Sequence, residues 1–236
     1  MVRHFQRLGG TLRLNSPVER IETEGRRATA IHAGGGRHAF DVIASNADVV
    51  HTYRALLGDA ARGGRLAARR HSMSLFVVYF GLRGLRPHLR HHMVLFGPRY
   101  RGLVDQIFHG NGLAQDFSLY LHAPSVTDDS LAPPGHSAYY VLAPVPHLGT
   151  ADPDWESAAP AYRDRILDYL EARHIPNLRR DLVTLRHFTP LDFKMQLNAH
   201  LGSAFSIEPI LTQSAWFRPH NRDDRLDNLF LVGAGT

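Results

Sequence analysis

The sequence predicts an α/β fold with helices and strands mixed along the chain (α+β), and three observations carry that prediction. Leu229–Val232 and Val42–Ala44 are short apolar runs, the pattern of strands buried inside a sheet. Val18–Glu22, Ala28–His32 and Arg37–Phe40 are short strand-like segments divided by Glu24-Gly25 and Gly34-Gly35-Gly36, which read as turns. Between these lie segments with helical spacing, such as Tyr162, Ile166, Tyr169 and Leu170.

In chain order, Val2, Phe5 and Leu8 have helical spacing, and Gly9-Gly10 ends that turn. Thr11–Leu14 alternates as a strand, and the three hairpin segments follow. After Val42–Ala44, read as a central strand, any polar residue of Ser45-Asn46-Ala47-Asp48 can cap a helix over Val49–Leu57 that Gly58 closes. An arginine-rich connection leads to the strand Ser74–Gly81, with Phe76 and Phe80 on one face and Tyr79 on the other. Gly84–Pro98 reads as irregular. Leu103–Phe108 is helical, Phe117–His122 and Ala138–Ala143 pair as strands, and Asp152-Pro153 opens a long helix. Leu182–Arg186 is a strand, and Thr189-Pro190 begins a short helix through Leu197. Asn198–Arg222 has no clear period but is rich in aromatic and apolar residues, which marks a binding surface rather than disorder.

Composition excludes several classes. The 236 residues contain no cysteine, which removes disulfides and thiolate metal sites. The net charge of +5 comes from arginines scattered along the chain, with Lys194 the only lysine, so the clustered footprint of a nucleic-acid binder is missing. No segment approaches the roughly 20 apolar residues of a membrane span, and the N-terminus lacks the apolar core of a secretory signal. A cytoplasmic location is expected. His88, His91 and His92 lie close together, but adjacent His91 and His92 are not expected to face one site on a regular element, and no acidic residue sits beside them, so no metal site is expected. No catalytic acid or base stands out by spacing. The end of the chain is the most informative feature: Leu229–Val232 runs into Gly233 and Gly235, and glycines at the carboxyl end of a buried strand let backbone approach a nucleotide cofactor.

Ser45–Tyr53, Phe96–Tyr100, Phe117–His122, Val141–Thr150, Gly202–Asn221 and Gly233–Thr236, in order along essentially the whole chain, resemble the corresponding stretches of the bacterial phytoene desaturases, flavoenzymes of carotenoid biosynthesis. Leu211-Thr212-Gln213-Ser214-Ala215-Trp216-Phe217-Arg218-Pro219-His220-Asn221, within the fifth of these, is too long a run to match by chance. The resemblance implies part of a discontinuous Rossmann-like FAD domain, residues 1–48 and 228–236, and a substrate and membrane-facing domain with a mixed sheet and helices, residues 49–227. It implies FAD contacts at Val18, Ser45, Asn46, Ala47, Gly233, Ala234, Gly235 and Thr236. It implies desaturation of phytoene toward lycopene, with hydride passing to the flavin, proton loss from the neighbouring carbon, and desaturated carotenoid intermediates as partners. Phe76, Tyr79, Phe205, Ile207, Pro209 and Trp216 are candidates to line a hydrocarbon channel. Glu208, Arg218 and His220 are read as ion-pairing residues. A lipid-dissolved substrate implies peripheral contact with the cytoplasmic membrane, for which the arginine and leucine mix of Leu82–Leu95 is the candidate patch.

Two departures qualify the resemblance. The family begins with a Gly-x-Gly-x-x-Gly dinucleotide motif, and Gly34-Gly35-Gly36 is not one, since no long helix follows it. The family also continues beyond Gly-Ala-Gly-Thr. A fragment of a longer chain is therefore expected. A related carotenoid oxidoreductase or isomerase, or a non-catalytic piece binding carotenoid or membrane, stand as alternatives.

Overall fold

Glycine-bearing turns set the first sheet. Strands β1 (Val18–Glu24), β2 (Arg27–Ala33) and β3 (Gly36–Ala39) form an antiparallel meander in that order, with Glu24 opposite Arg27 across the first turn. Ile21, Ala28, Ala30 and Ala33 turn inward from it. The computed structural model describes residues 1–110 and 112–236, which divide into two units: Met1–Arg69 with Leu211–Thr236, and Arg70–Ile210.

The first unit also holds a parallel pair, β4 (Ile43–Ser45) beside β10 (Leu229–Leu231), with Ser45 opposite Leu231. Ile43 and Leu229 share a hydrophobic cluster with Ile21, Ala28 and Leu56, which seats the pair on the meander. The pair is not buried on both faces as expected: Ala44 is exposed, and so is neighbouring Val42. Helix α1 covers Val2–Arg7. Thr11–Leu14 forms no strand, and Leu12 and Leu14 stay exposed. Alternation there has no partner strand to hydrogen-bond, and a strand needs one.

Asp48 is the residue that caps the next helix, its carboxylate accepting from Val50 N at 2.9 Å and His51 N at 3.2 Å. That helix, α2 (Val49–His51), loosens at once into a π-helical turn over Thr52–Leu56. The arginine-rich connection is in fact helical, α3 (Ala60–Ala67), capped by Asp59. Its glycines conceal it, because Gly63 costs helix propensity. The reason for the glycine is packing: a Cβ there would lie 2.0 Å from Arg54 Cγ and 3.0 Å from Arg54 N.

The second unit is built on β5 (Ser74–Arg83), whose residues Phe76, Val78, Phe80 and Leu82 enter one core. It lies in a five-stranded sheet with β6 (His92–Leu95), β7 (Leu119–His122), β8 (His136–Val145) and β9 (Leu182–Phe188), in the order β6-β7-β8-β5-β9. Every pairing is antiparallel rather than mixed in direction. Helix α4 covers Tyr100–His109. The sheet core is covered by α5 (Trp155–Arg173), which buries Tyr162, Ile166 and Leu170. Asp154, not Asp152, caps that helix, accepting from Glu156 N at 3.1 Å. After α6 (Leu178–Asp181), α7 (Pro190–Leu197) begins with a full capping box: Asp192 N donates to Thr189 Oγ1, and Thr189 N donates to Asp192 Oδ2 at 2.8 Å. Gly84–Pro98, read as irregular, contains β6.

Candidate functional site

The site in the first unit is made where two parallel strands end together. In open α/β sheets, ligands bind beyond the carboxyl ends of the strands. Here β4 ends at Ser45 and β10 at Leu231, and Val232 N donates to Ser45 O at 3.0 Å, so the chain leaves both strands side by side. Asn46 and Ala47 follow on one side, Gly233–Thr236 on the other. Asn46, Gly233 and Ala234 are exposed, Ala47 and Thr236 are half-buried, and Gly235 is buried.

Gly233 is required where it stands. Its φ is +103°, and a Cβ would lie 2.5 Å from Asn46 Oδ1. The two expected contact segments therefore meet at that point. Two residues that the sequence reading did not assign to this site fix the turn. Arg218 donates from Nη2 to Ala234 O and from Nε to Thr236 O at 3.3 Å. Asn221 Nδ2 donates to Leu231 O and to Thr236 Oγ1, both at 3.2 Å. Burial lowers the Arg218 guanidinium's pKa, with nearby Arg69 adding to the effect. Thr236 Oγ1 donates on to Gly233 O at 3.0 Å. Nothing in the local sequence around Arg218 signals this role, since its acceptors are backbone carbonyls more than a dozen residues away.

A cavity of about 320 Å³ adjoins the strand ends and is lined by Val18, Ser45, Asn46 and Ala47 together with apolar Phe40 and Val42. Four of the eight expected cofactor contacts thus share one wall. Ser45 lines it without offering its hydroxyl, which is buried against Thr52 Oγ1 at 2.9 Å. A second cavity of about 590 Å³, with Thr11, Arg13 and His38 in its wall, shares Val18, Ile31 and Phe40 with the first. Exposed backbone at paired strand ends, a glycine that a side chain would block, and a largely apolar cavity beside them fit a dinucleotide such as FAD.

The candidate channel residues fall in both units. Phe76 is fully buried, stacked with Trp155 (ring centroids 6.1 Å apart) and with His187 (5.7 Å), and edge-on to Tyr162. It is a core residue of the second unit. Ile207 is also fully buried, in an antiparallel bridge with His71. Tyr79, Phe205 and Pro209 are exposed on that unit. Trp216 belongs to the first unit, 78% exposed and edge-on to His220 at 4.8 Å. Glu208 forms an ion pair with Arg70, at 2.8 Å. The Leu82–Leu95 patch is corrected: Leu82, Leu89 and Leu95 all face the interior, leaving Leu85 and Val94 exposed.

The histidines also depart from expectation. His88 turns away to His174 O, 3.1 Å from its Nε2. His91 and His92, expected not to share a site, have ring centroids 4.3 Å apart and both meet His122. Strand alternation does not apply to them, because His91 precedes β6 and only His92 is in it.

The comparisons with known proteins agree with this geometry. The family model for flavin containing amine oxidoreductase matches residues 1–236. The chain is 60% identical to a lycopene-forming phytoene desaturase of Paracoccus sp. (strain N81106 / MBIC 01143), across all of this chain and 48% of that protein. It is 58% identical to a lycopene-forming phytoene desaturase of Pantoea ananas, across all of this chain and 49% of that protein. The chain thus spans about half the length of these relatives. Among solved structures, an oxidoreductase from Methanosarcina mazei matches with a TM-score of 0.62 at 16% identity, over all of this chain and 47% of that one; at that identity the likeness speaks for the fold.

Proposed function

This chain belongs to the flavin containing amine oxidoreductase family, and from that premise we propose that it serves the FAD-dependent desaturation of phytoene toward lycopene. The observation that carries the reading is identity of 58–60%, over an alignment that spans the whole chain, to proteins named for that reaction. When bound, FAD supplies the hydride acceptor, which is the hard chemistry of the step.

The chain's own residues hold and orient. Asn46, Ala47 and the Gly233–Thr236 turn present backbone to the cofactor, and Val18 supports its other end from the cavity wall. Arg218 and Asn221 keep the turn in one conformation, so that little ordering remains to be done on binding. On the second unit, Tyr79, Phe205 and Pro209 offer exposed apolar surface for a hydrocarbon chain, with Phe76 and Ile207 buried in that unit. Such residues act by excluding water and aligning the substrate.

Access to a lipid-dissolved substrate calls for peripheral contact with the cytoplasmic face of a membrane. Among the described residues no helix is long and apolar enough to cross one. Helix α7 suits surface contact instead: Leu191, Met195 and Leu197 are 43%, 69% and 55% exposed, with Lys194 between them. The expected result is flotation of the chain with anionic vesicles, reduced by Leu191→Glu with Met195→Glu.

The test of the whole reading is retention of flavin absorption after the chain is mixed with FAD and desalted, followed by chromatography of products from phytoene with an added electron acceptor. Retained flavin and loss of phytoene support it. A folded chain that retains no flavin favours the second reading, a carotenoid- or membrane-binding role without catalysis.

A further inference from the structure

We infer that His91, His92 and His122 form a binding site for one divalent transition-metal ion of the zinc class, which staples the edge strand β6 to its neighbour β7. The three side chains each bring one ring nitrogen within 4.8 Å of the other two. Their arrangement is fixed by the sheet. His92 and His122 are direct cross-strand partners, and His122 lies opposite Tyr140 on the next strand. Directly opposed residues of an antiparallel pair hold their Cβ atoms roughly 5 Å apart, which brings the two imidazoles together. The His92 and His122 rings are stacked with centroids 5.1 Å apart. His91 enters from the bend before β6, and its backbone is anchored where Ala123 N donates to His91 O at 2.9 Å.

The nitrogens are those of a ligand set. His91 Nε2 and His122 Nε2 are 2.8 Å apart, within hydrogen-bond distance. An ion at about 2.1 Å from each nitrogen in tetrahedral geometry needs them about 3.4 Å apart. Widening of about 0.6 Å at that pair, and rotation of the exposed His92, close the site. The outward nitrogens are already held: His91 Nδ1 pairs with Thr127 Oγ1 and His92 Nδ1 with Tyr120 Oη, each at 2.5 Å. Ligating histidines commonly use their second nitrogen in this way, which fixes ring orientation. His122 turns its Nε2 toward His91, while its Nδ1 is buried with no hydrogen-bond partner. Three neutral imidazoles without thiolate or carboxylate suit zinc, cobalt, nickel or copper and not magnesium or calcium. The fourth position is left to water or another small donor. Since β6 has one strand neighbour and its outer edge is unpaired in the sheet, a cross-link there restrains the strand most free to separate.

The test uses the purified chain, stripped with a chelator and titrated with Co²⁺ and then Zn²⁺, by equilibrium dialysis and by the visible d–d absorption of cobalt. One tetrahedral cobalt per chain, displaced by zinc, is expected. His92→Ala and His122→Gln each lower affinity by tenfold or more. Thr127→Val and Tyr120→Phe remove no ligand yet lower it by about ten- to a hundredfold, the usual effect of losing an outer partner. His88→Gln, a neighbour in sequence that faces elsewhere, changes nothing. Because His92 is exposed, His92→Ala keeps the fold, and circular dichroism checks each variant. Absence of stoichiometric binding, or binding that His92→Ala and His122→Gln leave intact, overturns the site.

Discussion

Asn228 pairs its side chain with the backbone of Ala28 as a neighbouring strand would: Ala28 N donates to Asn228 Oδ1 at 2.8 Å, and Asn228 Nδ2 donates back to Ala28 O at 2.7 Å, 200 residues apart in the chain. The same Nδ2 donates to Asp41 O at 2.7 Å. One buried amide thus joins the meander, the entry to β4 and the start of β10. Asn228→Ala strands buried backbone groups, each costing about 1–3 kcal/mol. The expected result is a lower urea midpoint with an unchanged slope. A midpoint equal to that of the parent would show that water replaces the amide.

The Tyr53 hydroxyl donates to Asp223 Oδ2 at 2.6 Å, and Arg62 reaches that carboxylate at 3.2 Å. Burial, then the bond to Asp223, pushes the phenol well above its usual range. Since the folded form holds its proton more tightly than the unfolded form, this contribution is present at neutral pH. It is lost as pH rises past the ordinary phenol value near 10. Tyr53→Phe should cost about 1–3 kcal/mol at neutral pH and flatten the alkaline fall in stability. Alkaline melts of the two proteins compare the slopes.

At the acid end the corresponding group is Glu22. Hydrogen bonds from Arg37, at 2.7 Å, and from His32, at 3.0 Å, lower its pKa to about 2. A depressed carboxylate stabilises the fold above its unfolded value, near 4.5, and that contribution disappears as pH falls toward 2. Glu22 is solvent-accessible, so the effect is local to the meander and weakened by salt. Arg37→Ala should move the Glu22 midpoint back toward the ordinary carboxylate range in a carboxyl-carbon NMR titration. An unmoved midpoint would assign the shift to His32.

Gly233→Ala tests the strand-end site. The added methyl meets Asn46 Oδ1 at 2.5 Å and sits at a φ of +103°, so the turn must shift. Flavin retention should fall at least tenfold while the melting temperature moves little, because the residue is exposed. Gly233→Ala with Asn46→Ala, which removes the clash, should recover part of the binding; equal loss in both variants would place the fault in φ alone.

Much of the local architecture was readable. The Gly25 and Gly34-Gly35 turns, the strand-like character of β5 and β8, and the Thr189 cap all rest on contacts within a few residues, and sequence carries those. The losses share one cause. Thr11–Leu14 alternates like a strand but has no partner, α3 hides behind a glycine, Gly63, that its packing on Arg54 demands, and Leu82–Leu95 looks amphipathic while Leu82, Leu89 and Leu95 are core. Each depends on what lies across from it.

By itself, the sequence determined the α/β character, the glycine-ended strand at Gly233 and Gly235, and the membership that 58–60% identity along the chain makes plain. Only the tertiary structure decided that Asn46 abuts Gly233, that Arg218 holds the turn beside them, and that His122 joins His91 and His92. The physical reason is range. Propensity, capping and turn chemistry act over a few residues, whereas a site is made by strand register and side-chain reach between segments that pairing alone brings together.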